Sequence, residues 1–334
     1  MIIQAEPRHI DEIMEIWMET NQKAHSFIDE TYWETNYKVV KEDYLPYAST
    51  YIYMEEERIL GFISVMEDVF ITALFVRTED QNRGVGRQLL CYCQNLYKTL
   101  RLKVFAKNRL AVRFYRSCGF IMDHSQMDPS SKEVEFVMDW KRAPKVHDIS
   151  KDFFSATVYP GDPKPEKETI SSFEKGDSYR LTRIVAGSHQ GTHIDAPSHF
   201  LPDGKTMDQI DLDSCIGPCK VVELEGVIGA EEIEPVLMLC HDRLLIKGEV
   251  ILTEEGAKKI AQYGIKLLGV EGQTVGKDDE IAKVHKTLLS KEVVILESLT
   301  LEGVPEGTYF LSATPLKYEG LDGAPCRPVL VEID

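Results

Sequence analysis

The sequence predicts an α/β protein organised as two domains, and three observations carry that reading. Its 334 residues suggest two cores instead of one, and a composition of 43% hydrophobic and 28% charged residues is that of an ordinary globular chain. Between Asp68 and Tyr97 the pattern runs strand, glycine-bearing loop, helix: VFITALFV is apolar and β-branched, QNRGVGR turns, and QLLCYCQNLY has helical apolar spacing. Beyond Lys205, strands such as Cys219 to Leu224 and Arg243 to Ile246 alternate with helices such as Glu254 to Gln262. Trp140-Lys-Arg-Ala-Pro144 closes the last apolar strand of the first part, which places the domains at 1–142 and 145–334. The linker is a few residues long and lacks a Gly/Ser tract, so the domains are expected to be held near one another.

From the start of the chain, MIIQAEPRHIDEIMEIW reads as a strand followed by an amphipathic helix, without the apolar core of a signal peptide. No apolar stretch approaches the roughly 18 residues that a bilayer span needs, so the protein is expected in the cytoplasm, with no membrane partner. The formal net charge of −17 argues against nucleic acid and anionic lipid as partners, because phosphate contacts need clustered Lys and Arg. Through Arg142 the chain carries 18 Lys and Arg against 22 Asp and Glu, and the remainder carries 20 against 33. The less acidic first part is the one suited to a polyanionic cofactor. Seven cysteines, odd in number and without CxxC pairing, indicate buried reduced thiols.

The loop at Gln81 to Arg87 outlines an anion cradle. N–H groups of the loop and first helical turn point outward unsatisfied, the helix dipole adds positive potential, Gly84 and Gly86 admit phosphate oxygens, and Arg83 and Arg87 add charge. Taken alone, such a turn often merely connects elements. In context, Gln81-Asn82-Arg83-Gly84-Val85-Gly86 resembles the acyl-CoA pyrophosphate loop of the GNAT acetyltransferases, and Val104 to Phe120 resembles that family's second strand-helix-strand. The likeness spans about residues 1 to 141 and includes Trp17, Asn21, His25, Phe27 and Ile28 of the opening helices. It implies a GNAT fold: a mixed twisted sheet flanked by helices, in which two parallel strands splay apart and the pantetheine arm of acetyl-CoA reaches strand backbone near Phe75 and Val76. It further implies that Gln81 to Arg87 hold the pyrophosphate, that Asn108 contacts the cofactor, and that Tyr115 protonates the departing thiolate. From the residues alone, Tyr115 also reads as core packing beside Phe114. His25 or Glu67 could assist deprotonation of an acceptor amine through water, or be ordinary surface groups.

In the second part, SHQGTHIDAPSHF packs His189, His193, Asp195 and His199 into eleven positions, a density of metal-binding and proton-transferring groups that packing seldom requires. The contrasting reading is a His-rich turn that arose by chance. A second constellation weighs against it. DDEIAKVHKTLLSKE reads as a helix capped by Asp278 or Asp279 that carries His285, and VVILE as a buried strand ending in Glu297, a carboxylate that wants a partner. His147 and His241 stand outside both groups and read as structural or surface imidazoles, as Cys215 and Cys219 read as buried thiols.

Every fixed position of His-x-Gly-Thr-His-x-Asp-x-Pro-x-His-Phe is present in His189 to Phe200, and this string resembles the metal-dependent cyclase and kynurenine formamidase family, which includes isatin hydrolases. The resemblance extends to the His285 and Glu297 spacing and to Tyr159-Pro-Gly-Asp-Pro163, a substrate-side loop. It implies a second α/β domain of the swivelling β/α/β type and a divalent metal, zinc by ligand type, as one or two ions. The positions of His189 and His193 would bind one ion and those of His285 and Glu297 the other, with Asp195 bridging and His199 as proton acceptor. Relatives often have Asp where Gly269-Val-Glu271-Gly stands here, which implies an altered pocket wall. They commonly form dimers or tetramers, so a homo-oligomer is expected.

A divalent ion lowers the pKa of a bound water from about 15.7 toward roughly 7, and an imidazole near its ordinary pKa can take the water's proton. The predicted function is a bifunctional fusion acting on small molecules: an acetyl-CoA-dependent N-acetyltransferase, and a metal-dependent hydrolase of a small amide or ester such as an N-formyl arylamine. Two alternatives stand beside it. The first domain could be a CoA-sensing module that regulates the hydrolase, or the second a non-catalytic ligand-binding fold.

Overall fold

Strand alternation and helix caps sort the chain into two units, Met1–Ala143 and Pro144–Asp334. The computed structural model describes residues 1–333, and the side chain of Asp278, one of the two expected caps, lies outside the described residues.

The first unit runs β1 (Ile2–Gln4), α1 (Ile10–Ala24), α2 (Glu30–Val39), β2 (Ser49–Glu55), β3 (Arg58–Met66), β4 (Phe70–Val76), α3 (Val85–Leu96), β5 (Thr99–Phe105), α4 (Arg109–Ser117), β6 (Ile121–Met127) and β7 (Val134–Lys141). Its helices start where a side chain or a glycine satisfies the first turn. Asp29 accepts from Thr31 N to cap α2, and Asn108 accepts from Ala111 N to cap α4. The seven strands lie in the order β1-β2-β3-β4-β5-β7-β6. All pairs are antiparallel except β4 with β5, whose pairing stops after Ile71 opposite Leu102. From Thr72 to Val76, β4 therefore runs on without β5 beside it. α1 buries Ile13, Met14, Ile16 and Trp17 against one side of the sheet, and α3 buries Val85, Leu89, Leu90 and Cys93 within the second cluster of this unit. Each such side chain contributes about 1.5–3 kcal/mol on burial.

The second unit adds β8 (Val146–Asp148), β9 (Glu166–Ser171), β10 (Leu181–Val185), β11 (His193–Asp195), α5 (Leu212–Cys215), β12 (Ile216–Glu223), β13 (Gly226–Ile228), α6 (Ala230–Leu237), β14 (Arg243–Lys247), β15 (Val250–Leu252), α7 (Glu254–Tyr263), β16 (Leu267–Val270), α8 (Ile281–Leu289), β17 (Val294–Glu297), β18 (Gly307–Ser312), β19 (Gly323–Pro325) and β20 (Val329–Glu332). Nine strands form one sheet, ordered β19-β11-β17-β16-β14-β12-β18-β20-β8, with β12, β14, β16 and β17 parallel. The two-residue period of β14 serves both faces: Leu244 and Ile246 pack with α6, α7 and α8, while Leu245 joins the opposite cluster with Val221 and Leu311. α8 begins after a 3₁₀ turn, with Glu280 at its N-cap position in place of either expected aspartate. β9 and β10 form a separate hairpin with Ile170, Leu181, Ile184 and Val185 exposed.

Candidate functional site

In the second unit, strand alternation assembles the polar cluster. His193 and Asp195 share one face of β11, and antiparallel pairing sets His193 opposite Glu297 of β17 and Asp195 opposite Gly323 of β19. α8 brings in His285. Asp195 is fully buried, and His193, His285 and Glu297 are nearly so. His193 donates from Nδ1 to Gly191 O at 2.8 Å and His285 from Nδ1 to Ile281 O at 2.7 Å, which turns both Nε2 atoms inward. His193 Nε2 lies 3.3 Å from Asp195 Oδ1 and 3.5 Å from Glu297 Oε2, and His285 Nε2 lies 3.3 Å from Glu297 Oε1. Val275 N donates to Glu297 Oε1.

His189 donates from Nδ1 to Asp195 at 2.9 Å and from Nε2 to Asp322 at 3.0 Å, and His199 Nδ1 lies 3.3 Å from the same Asp322 oxygen. The His189 and His199 rings pack 3.9 Å apart. A metal could therefore be held by His189, Asp195 and His199, or by His193, Asp195 and Glu297. The expected arrangement set His189 with His193, His285 with Glu297, Asp195 between them and His199 as proton acceptor; here the donor atoms of His189 lie with those of His199, and those of His193 with those of Glu297, on either side of Asp195. His193 is fixed by the pairing of β11 with β17, whereas His189 precedes the strand.

The donor set fits a cation. Asp195 Oδ2 is buried with no hydrogen bond, a costly state for a carboxylate oxygen that a positive ion would relieve. Burial opposes protonation of His189 and His285, but the Asp195 carboxylate, bonded to His189 and 3.5 Å from His285 Nε2, and the second carboxylates Asp322 and Glu297 win and raise the two imidazoles to about 9 and about 10. Burial also opposes charge on Asp195, yet three imidazoles hold it well below the usual carboxylate range. Burial and the neighbouring Asp195 charge push Glu297 upward. Burial lowers His199.

In the first unit, the splay after Ile71 opens a cavity of about 400 Å³ lined by both strands, Asn108 and Tyr115. Phe75 and Val76 stand on the free stretch of β4. Asn82 and Gly84 both have positive φ, 63° and 85°, which bends the loop so that the amides of Val85, Gly86 and Arg87 begin α3 without helical acceptors. A Cβ at Gly86 would meet Val76 Cγ2 and Phe114 Cζ at ordinary contact distances of 3.5 and 3.7 Å. Gln81 Nε2 donates to Val76 O. Arg83 bonds Asp80 and Glu55, and Arg87 donates to Ser117 Oγ. Tyr115 is buried against Phe114 and Phe120, and burial raises its phenol.

The GNAT acetyltransferase family model matches residues 18–134, and the Cyclase family model matches residues 138–277. Kynurenine formamidase of Erythrobacter litoralis (strain HTCC2594) is 31% identical over 209 residues, 58% of this chain and 97% of that protein. Peptidyl-lysine N-acetyltransferase YiaC of Escherichia coli (strain K12) is 34% identical over 141 residues, 42% of this chain and 96% of that protein. The chain belongs to both families. A solved structure described as a "predicted metal-dependent hydrolase from Bacillus stearothermophilus" is 32% identical, with a TM-score of 0.51 over 57% of this chain and all of that one.

Several residues of the two domains take places that sequence reasoning did not give them. Glu271 of the cyclase domain accepts from Gly248 N and Leu301 N and so braces two loops. His25 of the GNAT domain is buried beside the cavity, whereas Glu67 is exposed in the β3–β4 turn. Asp322 escaped notice because a lone acid in a loop carries no signal for a histidine 133 residues away. His147 bonds Glu332 and packs on Tyr309, and His241 is exposed. Among the described residues no helix is long and apolar enough to cross a membrane.

Proposed function

We propose that the chain is a bifunctional enzyme, an acetyl-CoA-dependent N-acetyltransferase joined to a metal-dependent hydrolase of a small amide or ester. One observation carries the second half: four imidazoles and Glu297 gather around Asp195, one of whose buried oxygens has no hydrogen bond. His189, His193, Asp195, His199, His285 and Glu297 would hold the metal, zinc by ligand type. A divalent ion there supplies Lewis acidity toward a carbonyl and acidifies a coordinated water. The chain's own residues orient and move protons. Carbonyls of Gly191 and Ile281 fix the rings of His193 and His285. Burial keeps His199 neutral near pH 7, so its imidazole can take a proton from the attacking water and return it to the leaving nitrogen or oxygen. If one ion is bound, His199 is free for this role; if two are bound, it joins His189 and Asp195 as a ligand. Likeness to kynurenine formamidase favours an N-formyl arylamine as substrate.

In the GNAT domain, the open first turn of α3 would hold the pyrophosphate, the free stretch at Phe75 and Val76 the pantetheine arm, and Tyr115 would protonate the departing thiolate. The likeness to a peptidyl-lysine acetyltransferase favours a primary amine as acceptor. We also infer a homo-oligomer assembled through the β9–β10 hairpin, because a lone two-stranded ribbon is marginally stable and this one exposes Ile170, Leu181, Ile184 and Val185 on its two faces. The deciding experiment measures metal content and hydrolysis of N-formylkynurenine before and after chelation, alongside acetyl transfer to amines. Hydrolysis should vanish with the metal and return with Zn²⁺; equal hydrolysis by metal-free protein would refute the reading. CoA binding without transfer, together with a CoA effect on hydrolysis, would instead identify a sensor.

A further inference from the structure

Two groups beside the GNAT cavity have no role in thiolate protonation. Glu135 sits on β7 opposite Phe105, is 8% exposed, and lines the same cavity as Tyr115. Gln126 donates to its Oε2 at 3.2 Å, and its Oε1 takes no hydrogen bond among the described residues. Trp33 is 6% exposed, and its buried Nε1–H has no acceptor. An unspent carboxylate and an unspent donor in one aromatic cavity fit a cationic head that carries an oxygen nearby.

His25, the other candidate for amine deprotonation, is already committed. Asn21 Nδ2 donates to Trp17 O, which turns its Oδ1 toward His25 Nδ1; Asn108 Oδ1 accepts from Ala111 N, which turns its Nδ2 toward His25 Nε2. Both ring nitrogens are engaged in one neutral tautomer, assigned from this network. A proton on Nε2 would face an N–H donor. His25 therefore positions α1, α4 and the stacked Trp33 ring, 5.3 Å away, and moves no proton.

We propose that Glu135 receives the acceptor as a primary ammonium and removes its proton, while Trp33 Nε1 donates to an oxygen of the same acceptor, as in a lysine amide. This rests on the N-acetyltransferase reading. Glu135 takes one proton from the ammonium and passes it to solvent. The freed nitrogen bonds the thioester carbonyl carbon as the C–S bond breaks. The sulfur takes the Tyr115 hydroxyl proton, and the second proton shed by nitrogen restores Tyr115, so each turnover releases one proton.

The test measures acetyl transfer from acetyl-CoA to Nα-acetyl-lysine methylamide and to n-hexylamine, with acetyl-CoA affinity by calorimetry as the control for folding. Glu135→Gln should lower kcat/KM for both amines about 100-fold at pH 7. That deficit should narrow as pH approaches the amine pKa near about 10.4, because a neutral amine no longer needs the carboxylate. Trp33→Phe should raise KM about tenfold for the lysine amide, the worth of one hydrogen bond, and leave n-hexylamine unchanged. A pH-independent deficit, or full activity of Glu135→Gln, would overturn the assignment while leaving the acetyltransferase reading intact. Absence of transfer to either amine by the unaltered protein would overturn both.

Discussion

Gly323→Ala tests the proposed metal centre without replacing a candidate ligand. A Cβ built on Gly323 would stand 2.6 Å from His189 Cε1 and 2.9 Å from Nε2, where ordinary contact begins near 3.4 Å. The ring must therefore retreat by roughly 0.8 Å. Its bonds to Asp195 and Asp322 measure 2.9 and 3.0 Å, so a shift of this size carries at least one of them out of range. Losing a ligand's orienting partner typically costs about 10–100-fold in metal affinity, and the overpacking itself about 1–3 kcal/mol of stability. Gly320→Ala is the control: its φ of +75° makes alanine cost roughly 1–2 kcal/mol, yet nothing lies within 4 Å of the new methyl group. Calorimetric titration with Zn²⁺, paired with denaturant unfolding of the metal-free forms, separates the effects. Both variants should lose stability, and only Gly323→Ala should lose affinity. Zn²⁺ affinity and stoichiometry unchanged in Gly323→Ala would refute the placement of His189 at the metal.

Four further outcomes follow from the structure. Tyr115→Phe should cut acetyl transfer by about 10²-fold or more and leave acetyl-CoA affinity unchanged in a binding titration, since burial favours the proton-bearing phenol. In the metal-free chain His189 and His285 lie near 9 and 10, so at pH 7 both are protonated; metal binding should expel protons, and affinity should climb with pH toward that range, as calorimetry in buffers of different ionisation enthalpy would report. The sign for stability is the opposite: raised imidazoles stabilise the metal-free fold fully below about pH 6.5, and that contribution is lost as pH rises through 9 and 10. Ile184→Glu, placing a charge on the exposed hairpin, should shift sedimentation from oligomer to monomer with folding unchanged.

Much of both sites was legible because the chemistry is local. A string that holds three histidines and an aspartate within eleven positions announces candidate ligands before any fold is known, and Asn82 and Gly84 announce a turn with positive φ. The splay of β4 and β5 was implied by family resemblance, not by composition. Arg83 shows the limit of such reading: its charge was visible, but not its pairing with Glu55, 28 residues away. Glu135 left a fainter trace, an acid in the inward phase of a strand whose neighbour in that phase is Val137.

The sequence alone determined which residue types could bind a cation or a phosphate, because those depend on functional groups and short spacings. Tertiary structure alone decided which imidazoles lie beside which carboxylates around Asp195, that Asp322 joins the cluster, and that Glu271 braces two loops. Those outcomes depend on strand register and long-range pairing, such as His193 across from Glu297, which no local pattern encodes.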